Sequence, residues 1–184
     1  NLCISQEEKI YRKLLGDSLP GDVHLAPYAL RTPAMFSVLT RLKEPCRQGI
    51  SIVKKALLYE DDGLMQGGSI SEDVEELRQE AGGEGMEGID PRYVVNRICS
   101  AIANSPRKCV SSLDILESLK KGLGWHPLME PGDTGRLERL LLIAEDEYYA
   151  SVRKDVARAC MRSYPGTARQ VFTDYMNGIC SWIK

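Results

Sequence analysis

The sequence lacks the motifs on which the common nucleotide-using enzymes depend. No G-x-x-x-x-G-K-[ST] phosphate loop occurs, and no glycine is followed directly by a lysine. The H-R-D and D-F-G motifs of eukaryotic-type protein kinases are missing as well. The chain by itself therefore has no phosphate loop with which to hydrolyse a nucleotide and no standard kinase site.

Histidine is scarce, and the cysteines are widely spaced. The chain has two histidines, His24 and His126, and six cysteines, none of which forms a C-x-x-C pair. This set does not favour a zinc site, so we expect no metal centre. Scattered cysteines of this kind indicate reduced thiols that fill the core of a cytosolic protein.

Long apolar runs and a strong excess of one charge are also absent. No stretch approaches the roughly 18 uninterrupted apolar residues of a membrane-spanning helix. The formal net charge of −2 gives no general attraction to nucleic acid or to a membrane surface. The 184 residues suffice for a core, and because they open in a helical pattern without a methionine, we expect a piece of a longer protein.

What the sequence does contain is a succession of amphipathic helix patterns. Ser5–Glu8 reads as a capping box for the first helix, and residues 26–42 predict a second helix that Pro33 interrupts, with Thr32 capping the restart. A long helix is predicted from about Asp133 to Ser163. Because no segment alternates with a period of two, the predicted fold class is all-α, a helical bundle of about seven to eight helices.

An acidic insertion near residues 60–88 interrupts these patterns. Acidic residues dominate it, and Arg78 is its single base. The segment Gly82–Gly85 could be taken for a phosphate-binding loop, but no strand precedes it and its carboxylate would repel phosphate. We expect a mobile linker that holds one short helix after Ser71.

The most informative motif opens a later helix. Asp90 is a good N-cap and Pro91 suits the first helical position, which places Arg92 in the first turn. The helix macrodipole disfavours a cation there by roughly 0.3–1 kcal/mol. Either Arg92 pairs with Asp90, Glu87 or Glu84, or it and the helix N-terminus together face an anion such as a nucleotide phosphate.

The order of these parts resembles the small helical lid of AAA+ ATPases. A helix ending in Leu39–Leu42 is followed by an insertion, then by the helix that Asp90–Arg92 opens, and then by the segment Val110–Leu116, which looks like the start of the last lid helix. In that family the arginine that starts such a helix is the sensor-2 residue, which reaches the phosphates of the bound nucleotide. The resemblance implies that Arg92 senses nucleotide and that Asp90 and Pro91 form the helix cap of its site.

Three longer segments resemble the bacterial PrkA family, which is described as serine protein kinases with an AAA+ ATPase core. They are His24–Leu30, Ala34–Leu42 and Glu84–Tyr93. The resemblance implies a cytoplasmic, ATP-dependent phosphorylating protein that uses ATP and Mg²⁺, neither of them bound tightly by this chain alone. The implied partners are the rest of the AAA+ core and a protein substrate or regulator that contacts the C-terminal helices.

These observations predict two regions and leave two functions open. Residues 1–123 would form the lid-like subdomain and residues 124–184 the C-terminal helical region, with the break near Gly122–Gly132. In the first hypothesis the chain is a nucleotide-sensing and regulatory region that is not catalytic alone. In the alternative it is a helical protein–protein interaction module without nucleotide contact, and Arg92 forms a salt bridge.

Overall fold

Eight helices make up most of the described structure. The structure is a computed structural model that describes residues 2–16, 23–45, 49–64, 72–106, 109–123, 134–163 and 165–182. The helices are α1 (Ile4–Leu15), α2 (Arg31–Arg41), α3 (Ile52–Leu64), α4 (Glu72–Glu80), α5 (Pro91–Asn104), α6 (Ser112–Leu123), α7 (Thr134–Ser163) and α8 (Pro165–Trp182). Within those ranges the strands are β1 (His24–Leu25) and β2 (Cys109–Val110), which pair in parallel. The prediction of an all-α bundle is confirmed.

The chain forms two compact units, residues 1–147 and residues 148–184. The first half of α7 belongs to the first unit, because Leu137, Leu140, Leu141 and Ala144 are buried in its core. The division between compact units therefore falls inside α7, later in the sequence than the 123/124 boundary expected for the two regions. Residues 124–133, which include His126 and most of the expected break, lie outside the described residues.

The start of α1 differs from the expected capping box. Cys3 is the N-cap residue and gives no side-chain cap, so Ser5 lies inside the helix. Its backbone N–H instead donates to Glu60 Oε2 on α3 at 3.0 Å. Burial raises the pKa of Glu60, but the hydrogen bonds from Ser5 and Cys3 and the charge of Arg31 outweigh it and hold that pKa below its usual range.

The region around Pro33 also differs from the sequence prediction. Residues 27–30 form a turn, and α2 begins at Arg31 with Leu30 as its N-cap, so Thr32 does not cap a restarted helix. Pro33 lies in the first turn, where the backbone N–H has no acceptor within the helix. The proline is therefore accommodated at the start of α2 and does not interrupt it.

Much of the acidic insertion is folded, and the expectation of a mobile linker is wrong for residues 60–64 and 81–88. Glu84, in the glycine-rich segment, accepts hydrogen bonds from the Lys43 backbone N at 2.7 Å and from Tyr59 Oη at 3.0 Å, and it pairs with buried Lys55. The short helix expected after Ser71 is α4. Residues 65–71 lie outside the described part of the chain.

Two observations concern membrane spans and metal ligands among the described residues. None of their helices combines the length and the apolar character that crossing a membrane requires. They also contain no group of three or more histidine, cysteine, aspartate or glutamate side chains arranged to hold a metal ion.

Candidate functional site

The candidate site is the first turn of α5. Asp90 is its N-cap, and Oδ1 of Asp90 accepts a hydrogen bond from the backbone N of Arg92 at 2.6 Å. Pro91 occupies the first helical position, where no donor is needed. The geometry expected from the sequence for Asp90 and Pro91 is thus present, and it places Arg92, which is exposed, at the positive end of the helix dipole.

The side chain of Arg92 is not neutralised within the described part of the chain. No carboxylate described there forms a salt bridge with it at 4.0 Å or less. Glu84, one of the three acids proposed as its partner, is instead engaged by Lys55 and Tyr59. The described contacts therefore do not support the salt-bridge interpretation of Arg92.

The residue before the cap is held at both of its backbone polar groups. The N–H of Ile89 donates to Oγ1 of Thr40 at 3.0 Å, and the carbonyl of Ile89 accepts from Nη2 of Arg41 at 2.8 Å. Thr40 and Arg41 are consecutive residues in the last turn of α2. The end of α2 thereby fixes where the chain enters α5, one residue before Asp90.

Arg41 is itself held by a buried carboxylate. Its Nη1 and Nη2 donate to the two oxygens of Glu7 on α1 at 2.7 and 2.8 Å, and Nη2 also reaches Ser37 Oγ at 2.9 Å. The Glu7 side chain is 0% exposed and that of Arg41 7%. Burial lowers the pKa of Arg41, but the hydrogen bond and charge of Glu7 raise it above its ordinary value, so the guanidinium stays charged.

The turn before Ile89 requires a glycine. Gly88 has φ +119°, a conformation that residues with a Cβ rarely adopt. A Cβ at this position would also lie 2.6 Å from Cγ of Arg41 and 3.1 Å from its backbone N. Gly88 thus lets the segment before α5 approach the end of α2 closely enough to form the bonds to Ile89.

The sequence located the helix start but not its support. Asp90, Pro91 and Arg92 were all identified from a local pattern. Thr40 and Arg41 stand out in the sequence only within the segments that resemble the AAA+ lid and the PrkA family, and Glu7 only within the predicted capping box. Glu7 and Arg41 lie 34 positions apart in the sequence, so no local pattern reveals that they pair.

Comparison with known proteins places the chain in a family. The family model described as the PrkA serine protein kinase C-terminal domain matches residues 53–184. The chain belongs to the PrkA family. A second model, described as the PrkA AAA domain, matches residues 1–49. The bonds of Thr40 and Arg41 to Ile89 therefore join the two matched regions, both of which contribute to the first compact unit.

Two relatives cover nearly the whole chain. It is 44% identical over 179 residues to a Bacillus subtilis (strain 168) protein described as ATP-dependent protease PrkA, an alignment that covers 97% of this chain and 28% of the relative. It is 29% identical over 186 residues to Serine/threonine kinase YeaG of Escherichia coli (strain K12), covering 100% of this chain and 28% of the relative. The chain thus spans about 28% of the length of these curated relatives. No solved structure matches it.

Proposed function

We propose that this chain is a nucleotide-sensing and regulatory region of a PrkA-family ATP-dependent protein kinase with an AAA+ core, in which Arg92 contacts a phosphate of the bound nucleotide. The observation that carries the proposal is the exposed Arg92 guanidinium at a capped helix N-terminus, with no carboxylate partner among the described residues. A helix N-terminus and a guanidinium both favour an anion.

The names of the two relatives bear on the reaction. One is described as an ATP-dependent protease and the other as a serine/threonine kinase. We favour the kinase, in keeping with the family model that matches most of the chain. An arginine that responds to the nucleotide is compatible with either reaction, because it reports the state of the phosphates and does not itself take part in the transfer.

This chain would supply only one part of a nucleotide site. Phosphoryl transfer depends on Mg²⁺, a phosphate loop with its lysine, and positioned charges, and the sequence contributes at most the last of these. Mg²⁺, when bound with ATP in the complete protein, would neutralise the charge of the phosphates. In this chain Arg92 would add one charge-assisted contact to a phosphate. Asp90 and Ile89 would fix the direction in which the start of α5 presents Arg92.

The test is the ATP affinity of the full-length protein with Arg92→Ala. Loss of a charge-assisted contact of about 1.5–3 kcal/mol should weaken ATP binding by roughly 10- to 100-fold. Arg92→Lys should weaken ATP binding less than Arg92→Ala does, because lysine keeps the positive charge. It should still bind ATP more weakly than wild type, because lysine cannot form the bidentate contact of arginine. Arg139→Ala is the matched control, because Arg139 is an exposed arginine of the first unit whose described side-chain bond is to Gly135 of its own helix.

Equal ATP affinity of wild-type protein and Arg92→Ala would refute nucleotide sensing by this residue. A weakening that Arg139→Ala shares would show a general effect of removing positive charge. Only a loss confined to position 92, with unchanged thermal unfolding, supports a direct contact.

A second candidate function rests on α8. This helix carries a row of exposed apolar side chains, of which Phe172 and Tyr175 are 65% and 67% exposed. Such a row favours contact with the rest of the AAA+ core or with a protein substrate or regulator. Phe172→Ser with Tyr175→Ser should then reduce phosphorylation or assembly by the full-length protein while ATP affinity stays unchanged. Unchanged phosphorylation and assembly in that variant would refute this role.

A further inference from the structure

A groove with an apolar floor lies between α6 and the first half of α7, within the first unit. The floor consists of Leu113 and Leu116 from α6 and of Leu141 and Leu142 from α7, and the volume of the groove is about 340 Å³. Leu116 and Leu141 are buried, whereas Leu142 is 56% exposed. Leu142 therefore presents apolar surface in the groove that the side chain of a partner could bury.

The α7 wall of the groove is acidic. Glu138 and Glu145 lie four residues before and three residues after Leu142, on the same face of the helix. Within the described residues neither carboxylate forms a salt bridge at 4.0 Å or less. Both charges on this wall are therefore available to a partner.

The α6 wall has the opposite balance. Glu117 is paired with Lys121 of its own helix at 2.7 Å, which leaves Lys120 as the surplus charge. With the Glu117–Lys121 pair counted as neutral, the groove lining has two negative charges on the α7 side and one positive charge on the α6 side. This asymmetry constrains which flank of a bound segment can face each wall.

We propose that this groove docks an amphipathic helix of a partner protein. The partner helix would carry a leucine-rich stripe flanked by lysine or arginine on the side that faces α7 and by glutamate or aspartate on the side that faces α6. The residues that line each wall follow the spacing i, i+3, i+4, i+7, so the groove runs along both helices and suits a third helix. The surface does not include the α5 N-terminus, so the proposal goes beyond nucleotide sensing.

The test uses the full-length protein and two fluorescein-labelled synthetic peptides of about four helical turns. Both carry the same leucine stripe; one has a lysine flank and a glutamate flank, and the other has glutamate on both flanks. Fluorescence anisotropy should show preferred binding of the first peptide. Leu142→Gln should weaken that binding by about 10-fold or more. Glu138→Lys combined with Glu145→Lys should reverse the preference between the peptides.

The control is Leu57→Gln, because Leu57 is a half-exposed leucine on α3 that does not line the groove. It should leave peptide binding unchanged, and circular dichroism should show native helix content for every variant. The proposal is overturned if neither peptide binds, or if the charge reversal leaves the preference unaltered. It is also overturned if sedimentation shows that Leu142→Gln abolishes self-association of the protein, because a second copy would then be the occupant.

Discussion

The buried pair Glu7–Arg41 should be a main determinant of the stability of the first unit. Arg41→Met removes the charge and keeps much of the side-chain volume. Glu7 would then remain fully buried without the two hydrogen bonds of 2.7 and 2.8 Å from Arg41, and the Ile89 carbonyl would lose the 2.8 Å bond from Arg41. Removing one partner of a buried pair costs about 3–5 kcal/mol. This is a large part of the roughly 5–15 kcal/mol that stabilises a typical domain.

Urea unfolding followed by circular dichroism measures this loss. For a loss of about 3–5 kcal/mol and a slope of about 1–3 kcal/mol per molar urea, the midpoint should fall by roughly 1–5 M. Arg12→Ala is the control, because Arg12 forms a 2.7 Å salt bridge with Glu8 on the same helix but is 67% exposed. That substitution should cost no more than about 0.5 kcal/mol.

The double variant Glu7→Leu with Arg41→Met separates the buried charge from the rest of the network. It should be more stable than Arg41→Met alone, because no uncompensated carboxylate remains in the core. If Arg41→Met cost less than about 1 kcal/mol, or no more than Arg12→Ala, the reasoning from burial would be refuted.

Gly88→Ala should destabilise the chain by more than about 1 kcal/mol in urea unfolding, since it combines an unfavourable φ with a close approach to Arg41, whereas Gly82→Ala, where no atom lies within 4 Å, should cost much less. The lowered pKa of Glu60 means that its ionised form stabilises the fold above its ordinary pKa of 4.5 and that this contribution is lost as the pH falls below it. Glu60→Gln should therefore be less stable than wild type at pH 7, and the difference should shrink under acid; a constant difference would contradict the assignment. The isolated chain should bind Mg-ATP no more tightly than the millimolar range in isothermal titration, because a single contact of about 1.5–3 kcal/mol is not enough; micromolar binding or autophosphorylation would reveal a site of another kind.

Features set by neighbouring residues could be predicted from the sequence. The start of α5 depends on Asp90 and Pro91, which are adjacent to the helix they open. Likewise α6 begins within Val110–Leu116, the segment that resembles the start of the last lid helix. There the backbone N–H and the hydroxyl of Ser111 donate to the Asp114 carboxylate, and the backbone N–H of Asp114 donates to Ser111 Oγ. In such cases the donor and acceptor lie within a few residues, so the pattern contains the whole interaction.

Features that depend on distant residues could not be predicted in this way. The carboxylate of Glu60 replaces the expected cap of α1 from 55 residues away. The carboxylate of Glu84 is buried because Lys55 and Tyr59 on α3 pack against it, although its segment has the composition of a solvated linker. The composition of a segment indicates that its acidic residues are usually exposed to solvent. Whether a particular one, such as Glu84, is buried depends on the tertiary packing around it.

The contacts at Ile89 have a consequence for exchanging parts between PrkA relatives. The two family models meet near residue 50, which suggests a natural point for recombining one relative's AAA segment with another's C-terminal domain. Yet Thr40 and Arg41 lie before that point and the backbone they hold lies after it. A hybrid joined at residue 50 would keep the bonds to the Ile89 backbone only under two conditions. The first parent must supply residues equivalent to Thr40 and Arg41, and the second must supply a glycine at position 88. The first unit should therefore be exchanged between relatives as a whole. A junction placed after residue 147 would leave these contacts undisturbed.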